Sequence, residues 1–127
     1  MPSDHDTPIA MLRDRIAAFA QERDWDQFHS PQNLAMALAV EVGELLELFQ
    51  WKTEVESRAV GQDPQAIAAV REELADVAII LLNLCNRMDT DLTQAVLAKL
   101  DVNAAKYPVN LAKGNARKYT DFFQPPT

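Results

Sequence analysis

The longest regular stretch of the sequence is PQAIAAVREELADVAIILLNLCNRM, residues 64–88. Asp63 and Pro64 begin it with an N-cap side chain and a residue suited to the first helical turn. Its apolar residues then recur every three or four positions, which is the spacing of one helix face and of an antiparallel bundle seam: Ile67, Val70, Leu74, Val77, Leu81, Leu84 and Met88. The stretch therefore predicts a long helix that packs antiparallel in an all-α, four-helix-bundle-like protein.

Two earlier helices have the same start signal, an N-cap residue followed by proline. Thr7-Pro8 and Ser30-Pro31 predict helices over about residues 8–24 and 31–51. We expect each helix to bury one apolar stripe. The stripes are Ile9, Leu12, Ile16 and Phe19 in the first helix, and Leu34, Leu38, Val42, Leu45 and Phe49 in the second.

The remaining segments complete a single domain over residues 1–127. The polar stretch from Lys52 to Asp63 predicts a loop. Asp91, with Gln94 three residues later, predicts a capped fourth helix that ends at Tyr107, before Pro108. Residues 109–127 end in QPPT and predict a largely irregular tail after a core of about residues 8–119.

Composition narrows the classes of protein that this chain can be. Its net charge is −7 over 127 residues, which argues against a nucleic acid polymer or an anionic membrane as partner. The acidic start MPSDHDTP is unlike a signal peptide, and the longest apolar run, VAIILL, is too short to span a bilayer. We therefore expect a cytoplasmic protein in which the single cysteine, Cys85, is a packed thiol.

Acidic residues accompany the apolar stripes of two helices. EVGELLELFQW, residues 41–51, contains Glu41, Glu44 and Glu47, and REELAD contains Glu73 and Asp76. If these helices pack antiparallel, the first two acids can face the last two, and four carboxylates converge. Like charges at such short range require a cation, and oxygen ligands favour Mg²⁺, with Mn²⁺ as a possible substitute.

Two alternatives compete with this metal site. One acid pair at helical spacing is more often solvated than functional, although two pairs in matching phase weaken that interpretation. A di-iron carboxylate bundle requires Glu-x-x-His on two helices. It is excluded because the only histidines are His5 and His29.

Four segments together resemble a known family: EVGELLELFQW, EELADV, KLDVNAAKYP and KGNARKY. They are similar to the MazG-like all-α nucleoside triphosphate pyrophosphohydrolases, and most of all to their dCTP pyrophosphatase branch. The likeness runs from about Leu12 to Tyr119. It implies hydrolysis between the α and β phosphates, with a monophosphate and pyrophosphate as products, in nucleotide pool sanitation. It also implies a homo-oligomer, either a dimer or a tetramer.

The resemblance also assigns roles to the acids. It implies that Glu41, Glu44, Glu73 and Asp76 bind Mg²⁺ and that either Glu41 or Glu44 accepts the proton of the attacking water. Glu47 lies one turn beyond the matched motif, so it either supports the ligands or is simply exposed. The substrate implied is dCTP or a modified dCTP. A dUTP or damaged-nucleotide hydrolase, and a non-catalytic helical nucleotide-binding module, stay open as alternatives.

The resemblance points to an aromatic base pocket. Trp25 and Trp51 are its predicted walls, and His29 is a predicted polar contact, although each residue is also suited to covering a helix end.

Lys99, Asn103 and Lys106 share one face of the fourth helix. We expect this face to bind phosphate and sugar oxygens. The alternative is a solvated basic face.

Overall fold

The computed structural model describes residues 1–123, and no strand occurs among them. The all-α class is confirmed. The helices are α1 (Ile9–Glu22), α2 (Pro31–Glu47), α3 (Glu54–Arg58), α4 (Pro64–Arg87), α5 (Leu92–Lys106) and α6 (Val109–Ala112), and the 3₁₀ turns are Asp26–Phe28, Val60–Gln62 and Tyr119–Asp121.

The chain divides into two compact units, Met1–Thr90 and Asp91–Thr127. The first unit contains α1 to α4, and the second contains α5 and α6. The single domain over residues 1–127 stays a prediction. Across the described part of the chain, every helix is too short or too polar to cross a membrane.

Three of the predicted helix starts are confirmed. The Ser30 hydroxyl accepts the Asn33 N–H at 3.1 Å, and the Asp91 carboxylate accepts the Gln94 N–H at 2.9 Å. Asp63 accepts two backbone N–H groups at the start of α4. These bonds satisfy N–H groups that have no partner within the helix.

The predicted cap of α1 by Thr7 is wrong. Pro8 occupies the N-cap position, where no side chain accepts a hydrogen bond. Thr7 donates its hydroxyl to Asp6, whose carboxylate also accepts the Ser3 N–H. A local turn therefore uses the side chain that was expected to cap the helix.

The predicted loop at residues 52–63 contains a short helix. Thr53 and Glu56 form a reciprocal capping box at the start of α3, and a 3₁₀ turn follows at Val60–Gln62. Helix α2 ends at Glu47, four residues earlier than predicted, and turns lead to Trp51.

The tail after α5 is only partly irregular. It contains α6 and the 3₁₀ turn Tyr119–Asp121. The predicted irregular end QPPT, residues 124–127, lies outside the described residues.

Helix α4 packs against both α1 and α2. Its most buried side chains are Val70, Leu82, Asn83 and Cys85, so the prediction of a packed thiol is confirmed. Leu74 and Met88 of the predicted seam are half or more exposed, at 50% and 58%. Helix α4 contacts two neighbouring helices, and its buried residues do not form the single apolar seam that was predicted.

Residues 1–123 leave most of the α1 stripe exposed, contrary to prediction, and only Ile16 of the stripe is half-buried. Ile9, Leu12 and Phe19 are 41–49% exposed. Leu12 and Phe19 lie with Ile79 and Leu82 of α4 along an open groove of about 550 Å³. Val42 of the α2 stripe is likewise exposed, at 47%. The pattern identified apolar faces correctly, but nothing within residues 1–123 covers all of them.

Candidate functional site

Three acidic side chains meet between α2 and α4. Glu41 comes from α2, and Glu73 and Asp76 come from α4. One carboxylate oxygen from each lies within 4.8 Å of the others. Glu41 and Glu73 are half-buried and Asp76 is exposed. The structure therefore brings together three of the four predicted metal ligands.

Glu44 is exposed and stands outside this trio. It lies three residues after Glu41, and that separation rotates its side chain by about 60° around the helix axis. It is nevertheless close enough for its charge to raise the pKa values of Glu41 and Glu73. The fourth predicted ligand thus lies beside the trio and can still contribute an oxygen.

Burial and mutual repulsion act on the ionisation of the cluster. The pKa of Glu41 is raised, first by burial, then by the charge of Glu44 and less by Asp76 and Glu73. The pKa of Glu73 is raised by burial, then by the charges of Glu44 and Asp76. A cation among these carboxylates would oppose both causes, because it stabilises the ionised form.

Two buried oxygens of the cluster lack a hydrogen-bond donor among the described residues. Glu41 Oε2 and Glu73 Oε2 are buried and accept no hydrogen bond from residues 1–123. A buried charged oxygen without a donor is costly. Hard cations such as Mg²⁺ and Mn²⁺ bind carboxylate oxygens, so the donor set fits the predicted ion.

A cavity of about 370 Å³ lies among α1, α2 and α4. Its size falls within the usual range of small-molecule sites, about 300–1,000 Å³. Trp25 and His29 line it together with Phe19. The Trp25 ring meets Phe19 edge-on, with centroids 5.7 Å apart, and lies 6.2 Å from His29. Two of the predicted base contacts therefore share one mainly apolar cavity.

The sequence-based prediction missed Asn83. This residue is 5% exposed, lines the same cavity, and its amide nitrogen lies 2.9 Å from His29 Nδ1. A signal was present in the sequence, since Asn83 interrupts the apolar run VAIILLNLC. Its partner could not be inferred, because the two residues are 54 positions apart.

The cavity and the acidic trio are neighbours along the same two helices. Ala37 and Ile80 line the cavity, and Glu41 and Asp76 each lie four residues away on α2 and α4, respectively. Four helical residues span about 6 Å. The order of contacts also shows that α2 and α4 run antiparallel, as the predicted convergence required.

Two further residues from the EVGELLELFQW stretch lie away from the cavity lining. Trp51 is 88% exposed in the turn after α2 and is not among the residues that line the cavity. Glu47 is exposed at the last position of α2 and is not part of the acidic trio.

The basic face lies in the second unit. Lys99 is exposed on α5, and Asn103 and Lys106 are half-buried. Lys106 Nζ lies 4.8 Å from the centroid of the Tyr119 ring. The three residues occupy one helix as expected, and their contact with a substrate stays a prediction.

A sequence model of the MazG-like family matches residues 36–122, which include all four predicted ligands. The chain belongs to the MazG-like family. The suspected family is thus confirmed.

This MazG-like chain is similar in sequence or structure to several proteins that are named as pyrophosphatases. The dCTP pyrophosphatase 1 proteins of Mus musculus and Homo sapiens are each 54% identical to it over 110 residues, or 87% of this chain. The chain spans 65% of the length of these relatives. A pyrophosphatase from Archaeoglobus fulgidus has a similar crystal structure, with a TM-score of 0.74 and 37% identity, covering 85% of this chain and 99% of that one.

Proposed function

We propose that this MazG-like protein is a Mg²⁺-dependent nucleoside triphosphate pyrophosphohydrolase. Its proposed substrate is dCTP or a modified dCTP, and its products are the monophosphate and pyrophosphate. The observation that carries the proposal is the acidic trio, which lies one helical turn from an aromatic cavity and has two buried oxygens with no hydrogen-bond partner among residues 1–123. The pyrophosphatase names of the relatives support the same reaction, and dCTP pyrophosphatase 1 supports the same base.

The acids would hold the metal. Glu41, Glu73 and Asp76 converge on one point, and Glu44 lies close enough to complete the predicted set. Mg²⁺ bound there supplies positive charge that neutralises triphosphate oxygens and favours deprotonation of the attacking water. The one-turn separation from the cavity lets a nucleotide place its phosphates at the acids and its base among the aromatic rings.

Glu44 is the better candidate for accepting the water proton. Glu41 belongs to the converging trio and one of its oxygens is buried, whereas Glu44 can keep one oxygen free for water even when the other completes the ligand set. Glu44 is exposed on the next turn, where its carboxylate can reach water beside the trio. A positioned carboxylate of this kind acts as a general base.

The cavity would bind the base and the basic face would bind the phosphates. A base stacked on an aromatic side chain gains about 1–3 kcal/mol, and Trp25 already lines the cavity. Trp51 is proposed as a second stacking surface. Lys99, Asn103 and Lys106 are proposed to bind phosphate or sugar oxygens.

A nucleotide panel tests the reaction. The protein is incubated with each nucleoside triphosphate and Mg²⁺, and the products are identified by ³¹P NMR. We expect dCTP to give dCMP and pyrophosphate at the highest rate, and Glu73→Gln to abolish turnover. Release of orthophosphate would contradict the proposal, and binding without turnover would favour the non-catalytic nucleotide-binding module.

We also propose that the protein assembles as a homo-oligomer, a dimer or a tetramer. The support is the apolar groove between α1 and α4, where Leu12 and Phe19 remain 43% and 49% exposed. Neighbouring apolar side chains that remain exposed along a groove are a common feature of faces that contact another protein. Light scattering should give a multiple of the 14.2 kDa chain mass, and a mass of one chain would contradict the proposal.

A further inference from the structure

Asn83 is the one buried polar side chain that residues 1–123 contain. It lies on α4 among apolar neighbours, at a position where helix packing alone would favour a leucine. A buried amide destabilises the fold unless it has hydrogen-bond partners. The amide of Asn83 meets that requirement through His29, and both side chains line the aromatic cavity.

Two contacts fix the segment that carries His29 against α4. Asn83 contacts His29 Nδ1 at 2.9 Å, and Arg87, one turn later, forms an ion pair with Asp26 of the preceding 3₁₀ turn. The His29 ring also lies beside Trp25, with an angle of 64° between the ring planes. The orientation of the imidazole is therefore set before any ligand enters the cavity.

The direction of the Asn83 contact determines what His29 can offer to a ligand. An amide NH₂ group only donates, so Nδ1 must accept, and a neutral imidazole then carries its proton on Nε2. The contact with Asn83 is the one side-chain hydrogen bond that His29 makes within residues 1–123. Nε2 is the ring nitrogen that is left to donate to a ligand.

Asn33 also lines the cavity, and its NH₂ group is already engaged as a donor. Asn33 donates its NH₂ group to the Phe28 carbonyl at 2.9 Å. Apart from the indole N–H of Trp25, the remaining walls, which include Phe19 and Leu34, are apolar. In such a site one fixed hydrogen-bond donor has a large effect on which ligand binds, because a mismatched polar group is left unpaired.

We propose that Asn83 is a positioning residue that makes His29 a hydrogen-bond donor toward the nucleobase and thereby selects cytosine over uracil. N3 of cytosine accepts a hydrogen bond, whereas N3 of uracil carries a proton and meets a donor unfavourably. The inference rests on the proposed function, because it concerns the base of that same substrate. It adds a residue and a physical reason for the base preference.

Asn83→Asp provides the sharpest test, because a carboxylate accepts where the amide donates. ¹⁵N NMR of the imidazole, at a pH where the spectrum shows a neutral ring, should find the His29 proton on Nε2 in the wild type and on Nδ1 in the variant. At that pH, the ratio of kcat/KM for dCTP to kcat/KM for dUTP should fall at least about tenfold. A wild-type proton on Nδ1, or an unchanged ratio, would overturn the proposal.

Asn86→Asp is the matched control. Asn86 lies three residues further along α4 and bonds to Arg13 outside the cavity. Its replacement introduces the same carboxylate, so it reports the general effect of a charge on this helix. We expect its dCTP to dUTP ratio to equal that of the wild type, and a fall matching that of Asn83→Asp would overturn the proposal.

A double variant tests the proposal if Asn83→Asp does not fold. His29→Phe combined with Asn83→Leu removes both polar partners, leaves neither unpaired and keeps the aromatic wall. Its dCTP preference should fall at least about tenfold, and full retention of that preference would overturn the inference.

Binding separates this inference from the proposed reaction. If the wild type hydrolyses no nucleotide, the proposed function fails, and NMR titration with dCMP and dUMP still tests base selection. Tighter binding of dCMP that Asn83→Asp abolishes would support the role of Asn83. Equal binding of the two monophosphates to the wild type would overturn it.

Discussion

The Glu73 carboxyl group is partly buried beside other carboxylates, and this position makes its ionised form unfavourable. Its Oε2 is buried without a partner among residues 1–123, and its pKa is raised by burial and by neighbouring carboxylates. A carboxyl group with a raised folded-state pKa binds its proton more tightly in the folded than in the unfolded protein. Its contribution to the free energy of unfolding is therefore fully present at pH values below about 4.5, the ordinary pKa of a glutamate. This contribution is lost as the pH rises through the folded-state pKa.

Glu73→Gln should therefore raise the melting temperature of the metal-free protein at pH 7. The amide removes a repelling charge and keeps the shape of the side chain. The advantage should shrink as the pH falls through the folded pKa and below the ordinary value of 4.5, where the wild-type carboxyl group becomes protonated in both states. Thermal melts across this pH range measure the difference, and Glu47→Gln, at an exposed acid of α2, serves as control. A constant difference at all pH values would contradict the argument.

Trp25 and Trp51 differ in surroundings although both are predicted base contacts. Trp25 lines the cavity, whereas Trp51 is 88% exposed. Trp25→Ala should raise KM for dCTP about 5-fold to 150-fold, the equivalent of about 1–3 kcal/mol of lost stacking. Trp51→Ala should also raise KM while leaving Mg²⁺ affinity unchanged. Steady-state kinetics and metal titration separate the two effects, and an unchanged KM would return either residue to a purely structural role.

Among the helices, the sequence predicted where the long ones lie along the chain better than it predicted which of their faces are buried. The ends of α4 were predictable because Asp63, Pro64 and the apolar spacing act locally. The capping box of Thr53 and Glu56 is an equally local signal for α3, but it lies in a polar segment whose composition is also typical of a loop. The burial of α1 was not predictable, since it depends on which surfaces meet after folding.

Some contacts of the candidate site could likewise be predicted from local sequence signals, and others could not. Convergence of Glu41 with Glu73 followed from helical spacing and antiparallel packing, both of which have sequence signals. The contact of Asn83 with His29 has no such signal, because it joins a helix to a turn 54 residues away.

Ser30 and Thr7 allow a direct test of helix capping. Ser30 accepts a backbone N–H at the start of α2, the helix that carries Glu41, whereas Thr7 caps nothing at α1. Ser30→Ala should lower the free energy of unfolding by about 1 kcal/mol. Thr7→Ala is the matched control and should change it by less than about 0.5 kcal/mol. Urea denaturation measures both, and equal losses would show that the Ser30 bond does not stabilise α2.

At the scale of the whole molecule, metal binding and folding are expected to be linked. The acids come from α2 and α4, so an ion that joins them binds the folded chain and not the unfolded one. Free Mg²⁺ at 100 times its Kd should add about 2.7 kcal/mol to the free energy of unfolding. With Mg²⁺ present, Glu73→Gln should melt below the wild type, which reverses the order expected without metal. If Mg²⁺ does not change the melting temperature of the wild type, the proposed metal site is wrong.

The exposed groove predicts that stability depends on protein concentration. If a second copy covers Leu12 and Phe19, dilution shifts the protein toward a chain whose α1 stripe faces water, and the melting temperature falls. Leu12→Glu should abolish this dependence and yield single chains, because burying an ionised carboxylate next to the apolar side chains of the groove is costly, even with Arg15 on the groove rim. Met11→Glu is the matched control, since Met11 is 56% exposed on the same helix but does not line the groove. Melting and light scattering over a hundredfold range of concentration distinguish the two variants. Identical behaviour of the two would place the contact between copies elsewhere on the chain.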